Sequence, residues 1–231
     1  MDLVWSGSRQ ALALLADADR EIWGILWLSL QVSGCATLIS LALGIPAGAV
    51  LALARFPGRA LLVSMVNTGM GLPPVVVGLF VTLLLWRGGP FGDLEILYTP
   101  AAIVVAQAVI AAPIVTGITL AAVGQVPREF RLQLLALGAS RAQMLWLVLR
   151  EARLPMLAAV MAGFGGIISE IGASMMVGGN IKGQTRTLTT AMVLETGKGN
   201  FEVAIALALL LLVLIFLVNW MLTTIQQRHA R

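Results

Sequence analysis

The sequence predicts an all-α integral membrane protein with about five transmembrane helices and an N-terminal amphipathic helix. Hydrophobic residues make up 59% of its 231 residues and charged residues only 11%, a composition that suits a lipid bilayer better than water. Long stretches without charged side chains exceed the ~20 residues that a helix needs to cross the hydrocarbon core. The predicted spans belong to a single transmembrane domain, residues 1–231, and their ranges are 22–54, 60–86, 97–123, 155–177 and 203–226.

The first 20 residues carry acids and arginines scattered among leucines, a pattern typical of an amphipathic helix at the membrane interface. A cleavable signal peptide is not expected, because Asp2 precedes the first basic residue and no small-residue cleavage site follows an apolar core. The alternative is a sixth span at the N-terminus.

The positions of the basic residues predict the orientation. The connections after the first, third and fifth spans, with the C-terminal tail, hold nine of the 15 basic residues and only two acids. Because loops rich in Lys and Arg stay in the cytoplasm, we expect a protein of the cytoplasmic (inner) membrane with its N-terminus outside and its C-terminus inside. The net charge of +4 follows from this topology, so no nucleic-acid partner is expected. The nine basic residues are Arg55, Arg59, Arg128, Arg131, Arg141, Arg150, Arg153, Arg228 and Arg231.

The sequence lacks the groupings that membrane enzymes need, which are a nucleophile with a base, paired carboxylates or a metal cluster. Cys35 stands alone in the first span, and the single histidine, His229, lies in the tail. The fragment "ETGKGN" at 195–200 has neither the spacing of a phosphate-binding loop nor a Ser or Thr after its Gly-Lys pair. We therefore predict no enzyme activity, nucleotide site, cofactor or metal for this chain.

The connection at 124–154 predicts a helical hairpin. Pro127 suits the start of a first helix, Gly138 suits the left-handed residue that ends it, and Ser140 with Gln143 forms a capping box for a second helix. An ordinary solvated loop is the alternative, but apolar surface with a basic rim favours a protein partner. The apolar residues are Phe130, Leu132, Leu134, Leu135, Leu137, Met144, Leu145 and Trp146.

This hairpin resembles the cytoplasmic loop of permease subunits of ATP-binding-cassette importers. The hallmark of that loop is Glu-Ala-Ala, three residues, Gly, nine residues, Ile, one residue and Leu-Pro. "LGASRAQMLWLVL" places Gly138 at the glycine and Val148 at the Ile. The sequence departs from the pattern at 132–134, which reads Leu-Gln-Leu, and at 150–151, which reads Arg-Glu.

Other motifs are similar to a narrower group, the tungstate-uptake permeases, which are related to the molybdate and sulfate permeases. These motifs are "EAR" at 151–153, "GFGGIISEIGASMMVGGNIKGQTRTLTTAMVLETGKGNFEVAIAL" at 163–207, and "GLPPVVVGL" in the second span. The resemblance implies a type I importer (MetI-like) permease fold that carries an oxyanion, tungstate before molybdate, sulfate or another small solute. A membrane scaffold or channel without an ATPase is the alternative of a different class.

The resemblance also implies the partners. These are a second copy of the chain in a homodimer, a cytoplasmic ATPase dimer that uses ATP and magnesium, and an extracytoplasmic oxyanion-binding protein, all in or on the lipid bilayer. The residues expected to contact the ATPase are Leu137, Gly138, Ala139, Ser140 and Arg141.

Candidate residues for the substrate pathway or its gate lie in three places. Glu170 follows Ala162 and Gly166 at intervals of four, which places it on a stripe of small residues rather than against lipid. We expect it to be neutralised or bonded to backbone amides in a structural or gating role, with substrate contact as the alternative. Pro73 and Pro74 should break the second span near the gate.

The external segment after the fourth span offers positive charge, hydroxyls and glycine amides, the groups that bind a tetrahedral oxyanion. The alternative is a surface that contacts the binding protein. The candidates are Thr185, Arg186, Thr187, Thr189 and Thr190, beside Lys182.

Overall fold

The computed structural model describes residues 5–7, 9 and 20–228, and the described part of the chain contains helices but no β-strand. The predicted N-terminal amphipathic helix falls mostly outside these residues, and His229 and Arg231 fall outside them as well. The helices are α1 (Arg20–Leu53), α2 (Arg59–Met70), α3 (Pro74–Leu85), a 3-10 turn (Gly92–Leu94), α4 (Pro100–Gly124), α5 (Arg128–Ala136), α6 (Arg141–Glu151), α7 (Arg153–Ile168), α8 (Gly172–Gly178), α9 (Leu188–Gly197) and α10 (Phe201–Arg228).

Three of the described helices, α1, α4 and α10, are long and apolar enough to cross a membrane. The number rises to five if each strongly bent helix pair counts as one span. These pairs are α2 with α3, bent by 103°, and α6 with α7, bent by 67°.

Two of the spans predicted from the sequence are not continuous helices in the structure. The span predicted at 60–86 is broken between Met70 and Pro74, where Pro73 has an extended backbone and Pro74 starts α3. The span predicted at 155–177 is broken between Ile168 and Gly172. Proline accounts for the first break, whereas the second break contains no proline.

The fold is built on the pairing of α1 with α4, which have the most extensive helix–helix contact in the chain. Gly44 and Gly48 of α1 allow the two backbones to approach, since a Cβ atom at Gly48 would lie only 2.6 Å from the Thr116 carbonyl oxygen. Small residues four apart are the usual device for close packing of membrane helices.

Separate apolar clusters attach most of the other helices to this pair. One cluster joins α1, α3, α4 and α8, another joins α1, α7, α9 and α10, and a third fixes the α5–α6 hairpin to the end of α4. Val148 of α6 is fully buried in the third cluster, beside Val123 and Ala152. The hairpin is therefore anchored to the membrane helices on one face.

Candidate functional site

A buried carboxylate lies at the break between α7 and α8. Glu170 is only 7% exposed. Its Oε1 atom accepts a hydrogen bond from the amide of Ala173 (2.9 Å), and its Oε2 atom accepts bonds from the amide (3.0 Å) and hydroxyl (3.2 Å) of Ser174. Because the first amides of a helix have no partner within it, Glu170 caps α8 at the positive end of its dipole.

The hydrogen bonds continue from Ser174 into two other helices. The Nε2 atom of Gln107, on α4, donates to the Ser174 hydroxyl (3.4 Å) and to the carbonyl of Ile167 (3.1 Å). Its Oε1 atom accepts from the hydroxyl of Ser33 on α1 (3.1 Å). The side chains of Ser33, Gln107, Ser174 and Glu170 are all buried. This set, hereafter the buried polar network, joins the α7–α8 break to the central helix pair.

A group of threonines lies on the other side of the break. Thr187 caps α9 in a capping box with Thr190, and the hydroxyl of Thr189 donates to the carbonyl of Glu170 (3.0 Å). The Thr187 hydroxyl lies 3.1 Å from the hydroxyls of both Thr189 and Thr190. The start of α9 is thus held against the break.

Thr185 belongs to the turn between α8 and α9. Its hydroxyl accepts from the amide of Ile181 (2.9 Å) and donates to the carbonyl of Gly178. All four candidate threonines are at most 4% exposed, and each hydroxyl has a partner in the chain. Donation of these hydroxyls to a substrate remains a prediction, and it would require the present bonds to break.

The two breaks meet in space. Gly172, at the start of α8, approaches Val75, which follows Pro74 at the start of α3; a Cβ atom at Gly172 would lie 2.6 Å from Val75 Cγ2. One turn further along, a Cβ atom at Gly78 would lie 2.7 Å from the Cα atom of Ala173. Helices α3 and α8, each beginning at a break, therefore pack backbone to backbone, and a shift in one must move the other.

The charged candidates lie apart from the break, at the N-terminal end of α1. Lys182 Nζ is 2.6 Å from one carboxylate oxygen of Glu21, and an Nη atom of Arg186 is 3.6 Å from the other. The Nε atom of Arg186 is buried without a hydrogen-bond partner. Cavities of about 460 and 410 Å³ are both lined by Glu21, Lys182 and Arg186. The two cations therefore face open space that a carboxylate of the chain partly occupies.

A further ion pair, between Lys198 and Glu195, lies at the end of α9. Hydrogen bonds from Asn200 (2.8 Å) and Lys198 (2.7 Å) lower the pKa of Glu195. The Glu195 carboxylate therefore stays ionised at neutral pH.

The predicted docking residues form the turn of the α5–α6 hairpin. Gly138 has φ of +86°, in the left-handed region that favours glycine, and the Ser140–Gln143 capping box is present. Leu137 is 84% exposed at the tip, and Arg141 is exposed as well. The guanidinium of Arg150 lies 5.3 Å from the ring of exposed Trp146. The hairpin thus combines an anchored inner face with an apolar, basic outer face.

The sequence alone identifies neither the partners of Glu170 nor the partner of Arg186. Ser33, Gln107 and Ser174 are polar residues in apolar spans, and such residues often bond between membrane helices. Glu21 stands at the start of the first span, where only a three-dimensional structure connects it to Lys182.

Comparisons with known proteins place the chain among transport proteins. A family model described as "Binding-protein-dependent transport system inner membrane component" matches residues 44–231. The chain is 36% identical over 227 residues to the tungstate uptake system permease protein TupB of Peptoclostridium acidaminophilum, covering 98% of this chain and 100% of that protein. It is 43% identical over 179 residues to a probable anion ABC transporter permease protein of Haloferax volcanii, covering 75% of this chain and 77% of that protein.

Its structure is similar to a chain of the MetNI methionine ABC transporter in an inward-facing conformation. The TM-score is 0.73 at 20% identity, and the alignment covers 92% of this chain and 95% of that chain.

The capping role of Glu170 predicts a stability effect. Glu170→Ala leaves the buried amides of Ala173 and Ser174 without partners, which costs about 1–3 kcal/mol. Glu170→Gln keeps one acceptor, so we expect an intermediate loss. Thermal unfolding of the purified protein in one detergent measures both, with Glu95→Gln, an exposed carboxylate, as the control. A melting temperature for Glu170→Ala equal to that of the unsubstituted protein would contradict the capping role.

Proposed function

Since this chain belongs to the family of binding-protein-dependent transport system inner membrane components, we propose that it is the membrane-spanning permease subunit of an ATP-driven importer of an oxyanion, with tungstate as the first candidate. The observation that carries the proposal is the end-to-end similarity to a tungstate uptake permease, which covers nearly all of both chains. Molybdate, sulfate or another small solute in the same machine is the alternative.

The fold agrees with this proposal. The predicted type I importer (MetI-like) permease fold is confirmed by the likeness to the methionine transporter. The chain is a multi-pass membrane protein and a transport subunit. Hydrolysis of ATP therefore belongs to a separate ATPase subunit in our proposal.

We place the ATPase contact on the outer face of the α5–α6 hairpin. A tip leucine that is 84% exposed is suited to a groove on a protein partner, and the arginines around it would complement acidic groups there. The inner face is buried against α4 through Val148. A force on the hairpin would therefore reach the membrane helices instead of bending a loose loop.

A continuous route leads from the hairpin to the break. Helix α6 passes into α7 through the single residue Ala152, which is buried. Glu170 lies just beyond the far end of α7. Its bonds hold α8, and α8 packs on α3. We propose that closure of the ATPase subunits tilts α6 and α7 together and shifts α3 against α8, which alternates access to the pathway.

Substrate contact is assigned to the outer cations. Lys182 and Arg186 hold the carboxylate of Glu21, which stands in the place that an arriving oxyanion would take. An oxyanion that displaces Glu21 would form charge-assisted hydrogen bonds with the same two cations.

The remaining parts of the machine follow from the family. A homodimer would enclose a polar pathway that one copy of a mostly apolar chain cannot line alone. An extracytoplasmic oxyanion-binding protein would deliver the substrate to the side that holds Lys182 and Arg186. The proposed orientation, with the N-terminus outside and the C-terminus in the cytoplasm, puts the hairpin on the ATPase side of the inner membrane.

A membrane scaffold or channel without an ATPase is the rival of a different class. The two readings differ in whether the hairpin tip matters for transport.

The proposed function predicts that the hairpin tip is essential. Leu137→Glu should weaken association with the ATPase about tenfold or more, because a charge replaces an apolar anchor of the interface, and tungstate uptake by cells that express the whole importer should fall with it. Co-purification measures the association with the ATPase, and elemental analysis of the cells measures the tungstate uptake. Leu94→Glu, on the opposite side of the membrane, is the matched control. Normal uptake by the Leu137→Glu protein would favour the rival.

The outer cations predict a charge-swap result. Arg186→Glu should lower tungstate uptake about tenfold or more, because one charge-assisted hydrogen bond contributes about 1.5–3 kcal/mol. The double variant Glu21→Arg/Arg186→Glu exchanges the two charges. It can form an ion pair between the same two positions, but position 186 no longer carries the cation that would bind the oxyanion, so tungstate uptake should stay low. Arg87→Glu, in another outer loop, is the control. Recovery of uptake in the double variant would contradict substrate contact by Arg186 and would leave it only the role of a structural ion-pair partner of Glu21.

A further inference from the structure

A basic cavity lies between the end of α1, the start of α2 and the α5–α6 hairpin. Its volume is about 700 Å³. We name it the arginine pocket after its basic lining residues, Arg55, Arg59, Arg128 and Arg131.

Among the residues that the structure describes, no acidic side chain balances the charges of this pocket. No acidic side chain lines it, and none of the four arginines has a carboxylate within salt-bridge distance among the residues that the structure describes. Glu129, on the same helix as two of them, is not part of the lining. Four like charges around one cavity repel each other, and a bound anion would relieve that repulsion.

One arginine of the pocket, Arg59, also bonds to the backbone of α1. The Nε atom of Arg59 donates to the carbonyl of Leu51 (2.6 Å), which satisfies a free carbonyl in the last turn of α1. This bond fixes the guanidinium at the pocket and leaves its terminal nitrogen atoms available to a ligand. The pocket is therefore partly preorganised.

The position of the pocket identifies the class of anion. Its walls include Leu53, at the end of a helix long enough to cross the membrane, and Phe56, in the turn before α2. In the proposed orientation this end of α1 emerges on the cytoplasmic side, which would bring the mouth of the pocket near the lipid headgroups. The apolar side chains Leu61, Leu62 and Met65 of α2 are exposed beside it, where acyl chains would lie.

The volume favours the same class. A cavity of about 700 Å³ is in the range of sites for drug-sized ligands and exceeds what a bare oxyanion needs. We propose that the arginine pocket binds the phosphate group of an anionic phospholipid of the cytoplasmic leaflet. Basic pockets between membrane helices on this side commonly take such headgroups. The inference rests on the proposed orientation but not on transport.

The test titrates the purified full chain in detergent with phosphatidylglycerol and, for comparison, phosphatidylcholine, and counts bound lipid by native mass spectrometry. We expect a preference for phosphatidylglycerol. Arg128→Gln/Arg131→Gln should lower its affinity about 100-fold or more, since each charge-assisted hydrogen bond to the phosphate contributes roughly tenfold or more. The control Arg150→Gln/Arg153→Gln removes the same charge from the same side outside the pocket, and its affinity should stay within about twofold of the original.

A single substitution provides a second test in case the double variant does not fold. Arg55→Gln changes an exposed residue of the α1–α2 turn and should lower the affinity for phosphatidylglycerol about tenfold, through the loss of one charge-assisted hydrogen bond. Millimolar inorganic phosphate distinguishes the two sources of the anion. Retention of lipid in its presence supports the headgroup as the ligand, whereas full displacement would overturn the phospholipid proposal and assign a free oxyanion to the pocket.

Equal loss of lipid in the pocket and control variants would overturn the proposal, because it would indicate general charge attraction. Unchanged lipid affinity in Arg128→Gln/Arg131→Gln, with loss of ATPase co-purification, would overturn it as well and assign these arginines to protein docking. Neither result depends on whether tungstate is the cargo, so this test and that of the proposed function fail separately.

Discussion

A carboxylate inside an apolar helix bundle must find hydrogen-bond donors, because an uncompensated charge there costs several kcal/mol or more. In this chain the donors are the first amides of a half-helix and a serine hydroxyl. The need to satisfy Glu170 and the need to satisfy the free amides of α8 are therefore met by the same bonds. Gln107 and Ser33 continue these hydrogen bonds from Ser174 to the central pair of α1 and α4. The break between α7 and α8 is therefore bonded both to α8 and to this pair.

Small residues couple the break to the neighbouring helix by close packing. Gly78 and Gly172 let α3 and α8 approach until backbone and side chain touch, and interfaces packed this closely move in discrete steps rather than by gradual deformation. Close packing also fixes the α5–α6 hairpin, where Val148 is buried against the end of α4. The exposed hairpin, α7 and the capped break thus lie in series along the chain, and in our proposal they transmit the closure of the ATPase subunits.

The sequence predicted the local features well, because caps and turns depend on neighbouring residues. The Ser140–Gln143 capping box, Gly138 in the left-handed region and the proline break of the second span all agree with the structure. The break after Ile168 was not predicted, since it contains no proline and its cap is a carboxylate that binds forward along the chain. The contacts of Gln107 with Ser174 and of Glu21 with Lys182 join residues far apart in sequence, where periodicity carries no information. The sequence predicts the threonines as candidate donors to an oxyanion, and composition alone does not reveal that their hydroxyls already bond within the fold.

The central claim is that the ATPase acts on the break at Glu170 through α6 and α7. Hydrogen–deuterium exchange of the peptide covering residues 169–178, in the assembled importer with and without a non-hydrolysable ATP analogue, tests it most directly. The account predicts slow exchange in the nucleotide-free complex and a clear change when the analogue binds. The same exchange in both states, in a complex that still transports its substrate, would contradict it.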